Sequence, residues 1–321
     1  MITVVGSLNL DLLIEAPRLP GPGETVLGGG LRREPGGKGA NQACAVARMK
    51  QPVSLIGAVG RDVFGDELLR HLGHENVDLQ FVARREQEPT GLALIVVDPA
   101  GQNQIVVAAG ANATLTAADV ALGAPRLRES RAVLVQLEIP LDAVGAALRM
   151  GRESGALTVL NPAPFSNLPE EWLGLCDWIV PNEVEAAQLS GLPVGGPSEA
   201  AAAAGVLHRR SGRAGIVVTL GAAGAWVESK SFSGHVPAFS VEAVDAVAAG
   251  DAFIGAFVTR LLEGEGPREA AHFGCAAAAV SVTRRGAQAS LPHRDEVAPM
   301  RDNALGLTGA SPRREPAQRG A

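Results

Sequence analysis

The sequence predicts an α/β protein, mainly a parallel sheet with helices on both faces plus a small β-sheet lid. Three observations carry that prediction. Short β-branched runs recur along the 321 residues, alanine-rich helical stretches separate many of them, and two segments break the alternation. The runs fall at residues 2–6, 53–56, 92–97, 105–107, 132–137, 158–160, 178–180 and 216–219, and the helical stretches at 39–50, 141–154, 183–190, 197–212 and 251–263. Of the two interruptions, residues 12–35 are rich in Gly and Pro, and residues 90–108 place Leu92–Val97 and Ile105–Val107 around a Pro99-Ala100-Gly101 turn, which reads as a hairpin. Short strands inserted early in such a domain are expected to form a lid over the crevice at the strand carboxyl ends. A hydrophobic content of 46% suits one large core, so a single domain is expected over residues 1–300, with a disordered Gly-, Pro-, Arg- and Ala-rich tail over 301–321.

Charge and cysteine usage narrow the partners. A formal net charge of -6 supplies no basic field for nucleic acid or an anionic membrane surface. Cys44, Cys176 and Cys275 lie far apart without a CxxC pair, so they read as small buried hydrophobes rather than a disulfide framework or zinc site. The apolar start lacks a basic leader, and the run Ala276–Val280 is too short for a membrane span, so a cytoplasmic location is expected.

Five segments carry chemistry-bearing residues. Asp245-Ala246-Val247-Ala248-Ala249-Gly250-Asp251 puts small residues ahead of a helix, where the N–H groups of Ala248, Ala249 and Gly250 would converge on a phosphate and the helix dipole would hold Asp251 ionised as a base; simple helix capping by Asp251 is the other use of this pattern. Gly36-Gly37-Lys38-Gly39-Ala40-Asn41 combines glycines with a cation and an amide, and departs from a Walker A loop because Gly39 follows Lys38; a plain Gly-rich loop is equally compatible. Asn9 and Asp11, two apart on an extended chain, share a side and suit vicinal hydroxyls, or else form an Asx turn. Gly6-Ser7-Leu8-Asn9 does not fit the dinucleotide fingerprint, which disfavours a nicotinamide-dependent oxidoreductase. Thr219-Leu220-Gly221-Ala222-Ala223-Gly224 ends a strand in a glycine turn, and Asn182 with Glu185 opens a helix, either as a cap or as part of a site.

Taken together, and with Gln136-Leu137-Glu138, Asn161-Pro162-Ala163-Pro164 and Thr283-Arg284-Arg285-Gly286-Ala287-Gln288, these segments resemble the ribokinase family of PfkB-type carbohydrate kinases from Gly6 to about Pro292. The resemblance implies a ribokinase-like fold and ATP-dependent phosphorylation of D-ribose at O5. It implies that Asn9, Asp11, Gly37, Lys38, Gly39, Ala40, Asn41 and Glu138 bind the sugar, with Asp251 as base. ATP would lie against Asn182, Thr219, Leu220, Gly221, Ala222, Ala223, Gly224, Gly250, Asp251 and Cys275. Mg²⁺ would bridge the phosphates, with Glu185 acting on it through water. A monovalent cation, K⁺, would sit near Asp245, Val247, Ser281, Arg284, Gly286 and Ser290. The chain departs from the family pattern at Ala246, where a Thr is common, at Ala248, often Gly, and at Cys275, often polar. An exposed lid face would be buried by a second copy in a homodimer. Related kinases for deoxyribose, another sugar or a nucleoside, and a sugar-binding regulator without turnover, are the competing readings; the presence of Asp251 argues against the regulator.

Overall fold

The computed structural model describes residues 1–100 and 102–304. It opens on β1 (Ile2–Val5), passes through β2 (Asn9–Glu15) and β3 (Leu31–Gly36), and enters α1 (Lys38–Arg48) after one intervening residue. β4 (Val53–Gly60), α2 (Val63–His74), β5 (Val77–Arg85), β6 (Gly91–Val97) and β7 (Asn103–Ala108) follow. Next come α3 (Ala117–Leu122), α4 (Ala124–Glu129), β8 (Ala132–Val135), α5 (Leu141–Glu153), β9 (Leu157–Leu160), β10 (Trp178–Ile179), α6 (Glu183–Ser190), α7 (Pro197–Ser211) and β11 (Gly215–Thr219). The described chain finishes with β12 (Ala225–Glu228), β13 (Ser233–Val236), α8 (Ala249–Leu262), α9 (Pro267–Val282) and α10 (Arg294–Ala304).

Nine strands form one sheet in the order β13-β12-β11-β10-β9-β8-β1-β4-β5. From β11 to β5 every pairing is parallel, and β12 and β13 add an antiparallel edge hairpin. Strands covered on both faces must be apolar at every position, and β1, β4 and β8 are buried throughout. The period of two then splits the core. Ile2, Val4, Leu134 and Val217 pack with α1, α8 and α9, whereas Val5, Val133, Val135 and Val218 pack with α5 and α7 on the opposite face.

The second sheet has four strands in the order β3-β2-β6-β7; β2 pairs parallel with β6, and the outer pairings are antiparallel. These are the two segments that interrupt the alternation, although β2 begins at Asn9, ahead of the expected boundary at 12. Leu94, Ile105, Val106 and Val107 are more than half exposed on this sheet. Other boundaries also move. The strand expected over 132–137 stops at Val135, because Gln136 leaves the ladder and turns its side chain onto Gln42. α10 continues through residue 304, past the expected start of the tail at 301; residues 305–321 lie outside the described residues. No helix among the described residues is long and apolar enough to cross a membrane.

Candidate active site

The chemistry-bearing residues gather where parallel strands end and α1, α6 and α8 begin, the usual ligand crevice of an open α/β sheet. Ser7 to Asp11 follow β1, Gln136 to Glu138 follow β8, Asn161 follows β9, Asn182 follows β10 and the Leu220 turn follows β11.

Asp251 is the third residue of α8 and only 6% exposed. Its two carboxylate oxygens accept from Asn41 Nδ2 and Gln42 Nε2, each at 3.0 Å. Burial dominates its titration and lifts the carboxyl above the usual range; Lys38 and the Gln42 and Asn41 donors oppose that rise, and Glu138 adds to it. Asp251 thus stands in the first turn of α8, where the helix dipole favours its ionised form, and desolvation acts against that form. Ahead of the helix, Ala248 adopts a left-handed φ of 59°, which costs a residue with a Cβ roughly 1 kcal/mol. The Ala249 amide donates to the Ala246 carbonyl at 3.3 Å, so among the expected amides it is already engaged, while the Gly250 and Asp251 amides head the helix without carbonyls of their own helix to accept them.

Beside Asp251 lies a polar pole. Lys38 opens α1, and its backbone N–H donates to Glu138 Oε2 at 3.0 Å, an oxygen that also accepts from Ser7 Oγ at 2.5 Å. Burial depresses the Lys38 ammonium, but the carboxylates of Asp251, Glu138 and Glu185 together hold it above its ordinary value. Asn9 and Asp11 share one face of β2, as their spacing predicts. Asn9 Oδ1 accepts from Asn112 Nδ2 at 2.8 Å, and Asn112 is itself tied to the Leu8 backbone. Asp11 is raised to about 7, first by burial, then by Glu138 and by Glu34, its cross-strand partner. Gly37 has φ 87°, and a Cβ there would lie 2.7 Å from the Asn9 amide nitrogen. Gly39 and Ala40 are buried beneath this loop. Gly39 packs against the Gly6 backbone, and the wholly buried Ala40 donates its amide to the Ser7 carbonyl at 2.9 Å. Asn41 is likewise committed within the protein, to Asp251 and to Gln288.

On the other side of Asp251 opens a cleft of roughly 760 Å³. Of the residues expected at the nucleotide, Asn182, Thr219, Gly221, Ala222, Gly224, Gly250, Asp251 and Cys275 line it, together with Lys38 and Glu185. Leu220 and Ala223 do not. The Leu220 side chain is buried in the core below the turn, and the Ala223 carbonyl turns to His235 Nε2, 2.6 Å away. Sequence reasoning missed the apolar wall, to which Ala278, Ala279 and Val282 of α9 contribute alongside Phe239. The signal was present: 275, 278, 279 and 282 recur at helical spacing on one face. Burial pushes the Cys275 thiol up to about 12, so it lies in that wall as a neutral group.

Glu185 and Asn182 do form a capping box. Asn182 Oδ1 accepts from the Glu185 amide and Glu185 Oε2 from the Asn182 amide, both at 2.9 Å. Glu185 nevertheless faces the cleft, raised by burial first and by Asp251, with the Asn182 amide and Lys38 opposing. Its remaining lone pairs suit a hydrated cation better than a direct ligand bond. At the proposed monovalent site, Asp245 accepts from the Val247 and Gly286 amides, each at 3.0 Å. Ser281 and Ser290 bond each other at 2.9 Å, and the Arg284 guanidinium pairs with Glu296. The side chains are thus largely engaged, and backbone carbonyls with the Asp245 carboxylate remain as hard oxygen donors, a set that fits K⁺. No group of three or more His, Cys, Asp or Glu arranged to hold a metal occurs among the described residues.

Residues 1–294 match the profile described as pfkB family carbohydrate kinase. The chain belongs to that family. Ribokinase of Haemophilus influenzae is 42% identical over 295 residues, covering 92% of this chain and 96% of its own. Deoxyribokinase of Salmonella typhi is 36% identical over 292 residues, covering 91% and 95%. Among solved structures, Arabidopsis thaliana ribokinase complexed with ribose and ATP superposes with a TM-score of 0.84 at 30% identity, covering 94% of this chain and 98% of the other. The pfkB match ends where α10 begins, so that helix lies almost wholly beyond the family region.

Proposed function

We propose that the protein is an ATP-dependent ribokinase that phosphorylates D-ribose at O5. The observation that carries the reading is the position of Asp251, a buried carboxylate at a helix start between a polar pole and an apolar cleft, in a chain closely similar to ribokinases. Asn9, Asp11, Lys38 and Glu138 take the sugar hydroxyls, and the nucleotide lies along the Thr219 to Gly224 turn with its base against α9.

Asp251 takes the proton from the sugar's terminal hydroxyl. The oxygen attacks the γ-phosphorus in line as the bond to the β-phosphate oxygen breaks and ADP leaves. The Gly250 and Asp251 amides and the Lys38 ammonium spread the charge that grows on the transferred group. When bound, Mg²⁺ supplies charge neutralisation on the phosphates, with Glu185 the residue to hold it through water. The Asp245 carboxylate and the backbone carbonyls near Val247, Arg284 and Gly286 would hold K⁺, whose charge would steady the loop that precedes α8. Closure of the small sheet over the sugar excludes water, which would otherwise accept the phosphoryl group.

The reading extends to a cytoplasmic homodimer. Leu94 and Val106 are cross-strand partners that leave an exposed apolar patch on one face of the small sheet for a second copy, while Ile105 and Val107 lie on the opposite face. Light scattering of Val106→Lys is expected to give a monomer where the parent gives a dimer.

ADP release from ATP, measured with D-ribose, 2-deoxyribose, fructose, adenosine and no sugar, in Mg²⁺ with K⁺ or Na⁺, tests the function. Fastest turnover with D-ribose, raised by K⁺, supports it. Preference for 2-deoxyribose would move the assignment toward the deoxyribokinase relatives, and sugar binding without turnover would replace the enzyme with a regulator.

A further inference from the structure

Gln136, Asn161 and Gln288, each in a motif that carries the family resemblance, have no part in the mechanism above, yet their side-chain amides converge on Asp251 through Gln42 and Asn41. All three are at most 8% exposed. Their hydrogen bonds have a direction that starts at the backbone. The Val180 carbonyl, in the segment following β10, accepts from Asn161 Nδ2 at 2.9 Å. Asn161 therefore presents its oxygen to Gln42, and only a donor satisfies it: Gln42 Nε2 lies 3.1 Å away. The second hydrogen of that nitrogen goes to Asp251 Oδ1. Gln42 Oε1 is left facing Gln136, whose Nε2 donates to it at 2.6 Å.

A second arm repeats the logic. Gln288 Nε2 donates to Asn41 Oδ1 at 3.2 Å, which turns Asn41 Nδ2 toward Asp251 Oδ2. Gln288 is itself held by Arg48, whose Nη1 donates to its backbone carbonyl at 2.7 Å. Reversal of either inner amide would set an oxygen against the carboxylate. Gln136 sits over Gly6, where a Cβ would come within 2.0 Å of its Oε1. Neither Gln136 Oε1 nor Gln288 Oε1 has a hydrogen-bond partner among the described residues. A buried unpaired carbonyl weakens a fold, so stability alone does not account for these glutamines.

We infer that Asn161, Gln136 and Gln288 are positioning residues, which fix the polarity of the Gln42 and Asn41 amides so that their N–H ends face Asp251 and hold its carboxylate ready to accept the sugar's proton. The inference rests on the reading of Asp251 as the base. The charged groups around Asp251 are Lys38 from α1, Glu138 after β8 and Glu185 from α6. Neutral substitutions of the three positioning residues leave those charges in place, so a changed pH profile reports the amides.

The test is the pH profile of kcat for the full chain with its preferred sugar, for Asn161→Leu, Gln136→Met and Gln288→Met, with KM and melting temperature measured alongside. Losing one oriented donor to a carboxylate is expected to lower kcat near neutral pH by about 10-fold and to move the acidic limb up by about one pH unit. Sugar KM should change by less than about 3-fold, and activity should recover in part at high pH. An acidic limb at the parent position, with activity lost only in proportion to the folded fraction, overturns the inference. Should Asn161→Leu not fold, the glutamine variants decide, because each removes a buried unpaired oxygen along with the one Nε2 donor under test. Asp251→Asn run in parallel separates the two ideas. Parent turnover in that variant removes the base assignment, whereas its inactivity beside three unshifted profiles removes only the positioning role.

Discussion

The two ends of the cleft are made of opposite materials. Around Asp251 the contacts are side-chain amides and charges from residues far apart in sequence, nearly all buried and mutually hydrogen-bonded. Around the turn from Thr219 to Gly224 they are backbone groups and small apolar side chains from α9. The difference teaches where side-chain identity matters. At the first end a change of one atom alters the chemistry, and at the second only the path of the chain and the volume of the wall count.

The sharpest way to break this contrast is Asp251→Asn. It keeps size and shape, and is expected to cut turnover by at least ~10²-fold while sugar binding by calorimetry stays close to the parent. Turnover equal to the parent would end the assignment of Asp251. Next in size is Gly224→Ala at the nucleotide end. Gly224 has φ 97°, and a Cβ there would lie 2.1 Å from the Val236 carbonyl oxygen. Strain of about 1–3 kcal/mol should displace the turn and raise nucleotide KM by roughly 10-fold with little change in sugar KM. Equal effects on both substrates would mean that the turn does not serve the nucleotide alone.

A smaller effect comes from Asp11. Its carboxyl is raised from 3.8 to about 7, so the folded state holds a proton that the unfolded chain releases; the stability this gives is complete below about pH 4 and lost as pH rises through 7. Asp11→Asn cannot lose it. The melting temperature of the variant relative to the parent should climb by about 4 °C between pH 5 and pH 8, for ~2 kcal/mol after allowance for partial exposure. A pH-independent difference would contradict that account. Smallest of all is Cys275→Ala, which keeps a small apolar wall and should leave nucleotide KM within about 2-fold; a large change would show that the thiol makes a specific contact.

The sequence made the framework and the functional residues visible to different degrees. The buried strands and the helix starts near Lys38 and just before Asp251 were readable because a local pattern encodes each of them. α2 and β5 went unread although their signals were local: Asp62 caps α2, accepting from the Gly65 amide, and Val77, Leu79 and Phe81 alternate along β5. The amide cluster is another matter. Gln42, Gln136, Asn161 and Gln288 come from four separate segments, and nothing in the spacing of those segments says that their side chains meet. Residue type alone also says nothing of the burial of Asp251, which is a property of the assembled crevice.

At its base the small sheet joins the rest of the molecule through the row where Asn9 is opposite both Gly36 and Gly91, with Leu10, Leu12 and Leu92 packed on the core beside it. That row is a fulcrum. From Asn9 to its end at Glu15, β2 extends about 20 Å from it, so a tilt of about 10° sweeps the far tip by roughly 3.5 Å while the row itself hardly moves. Asn9, Gly37 and Lys38 stand at or beside the pivot, and the segment from 16 to 30 hangs at the far end of the lever. Changes in length at that tip should therefore alter how fast the sheet swings while leaving the grip at its base intact.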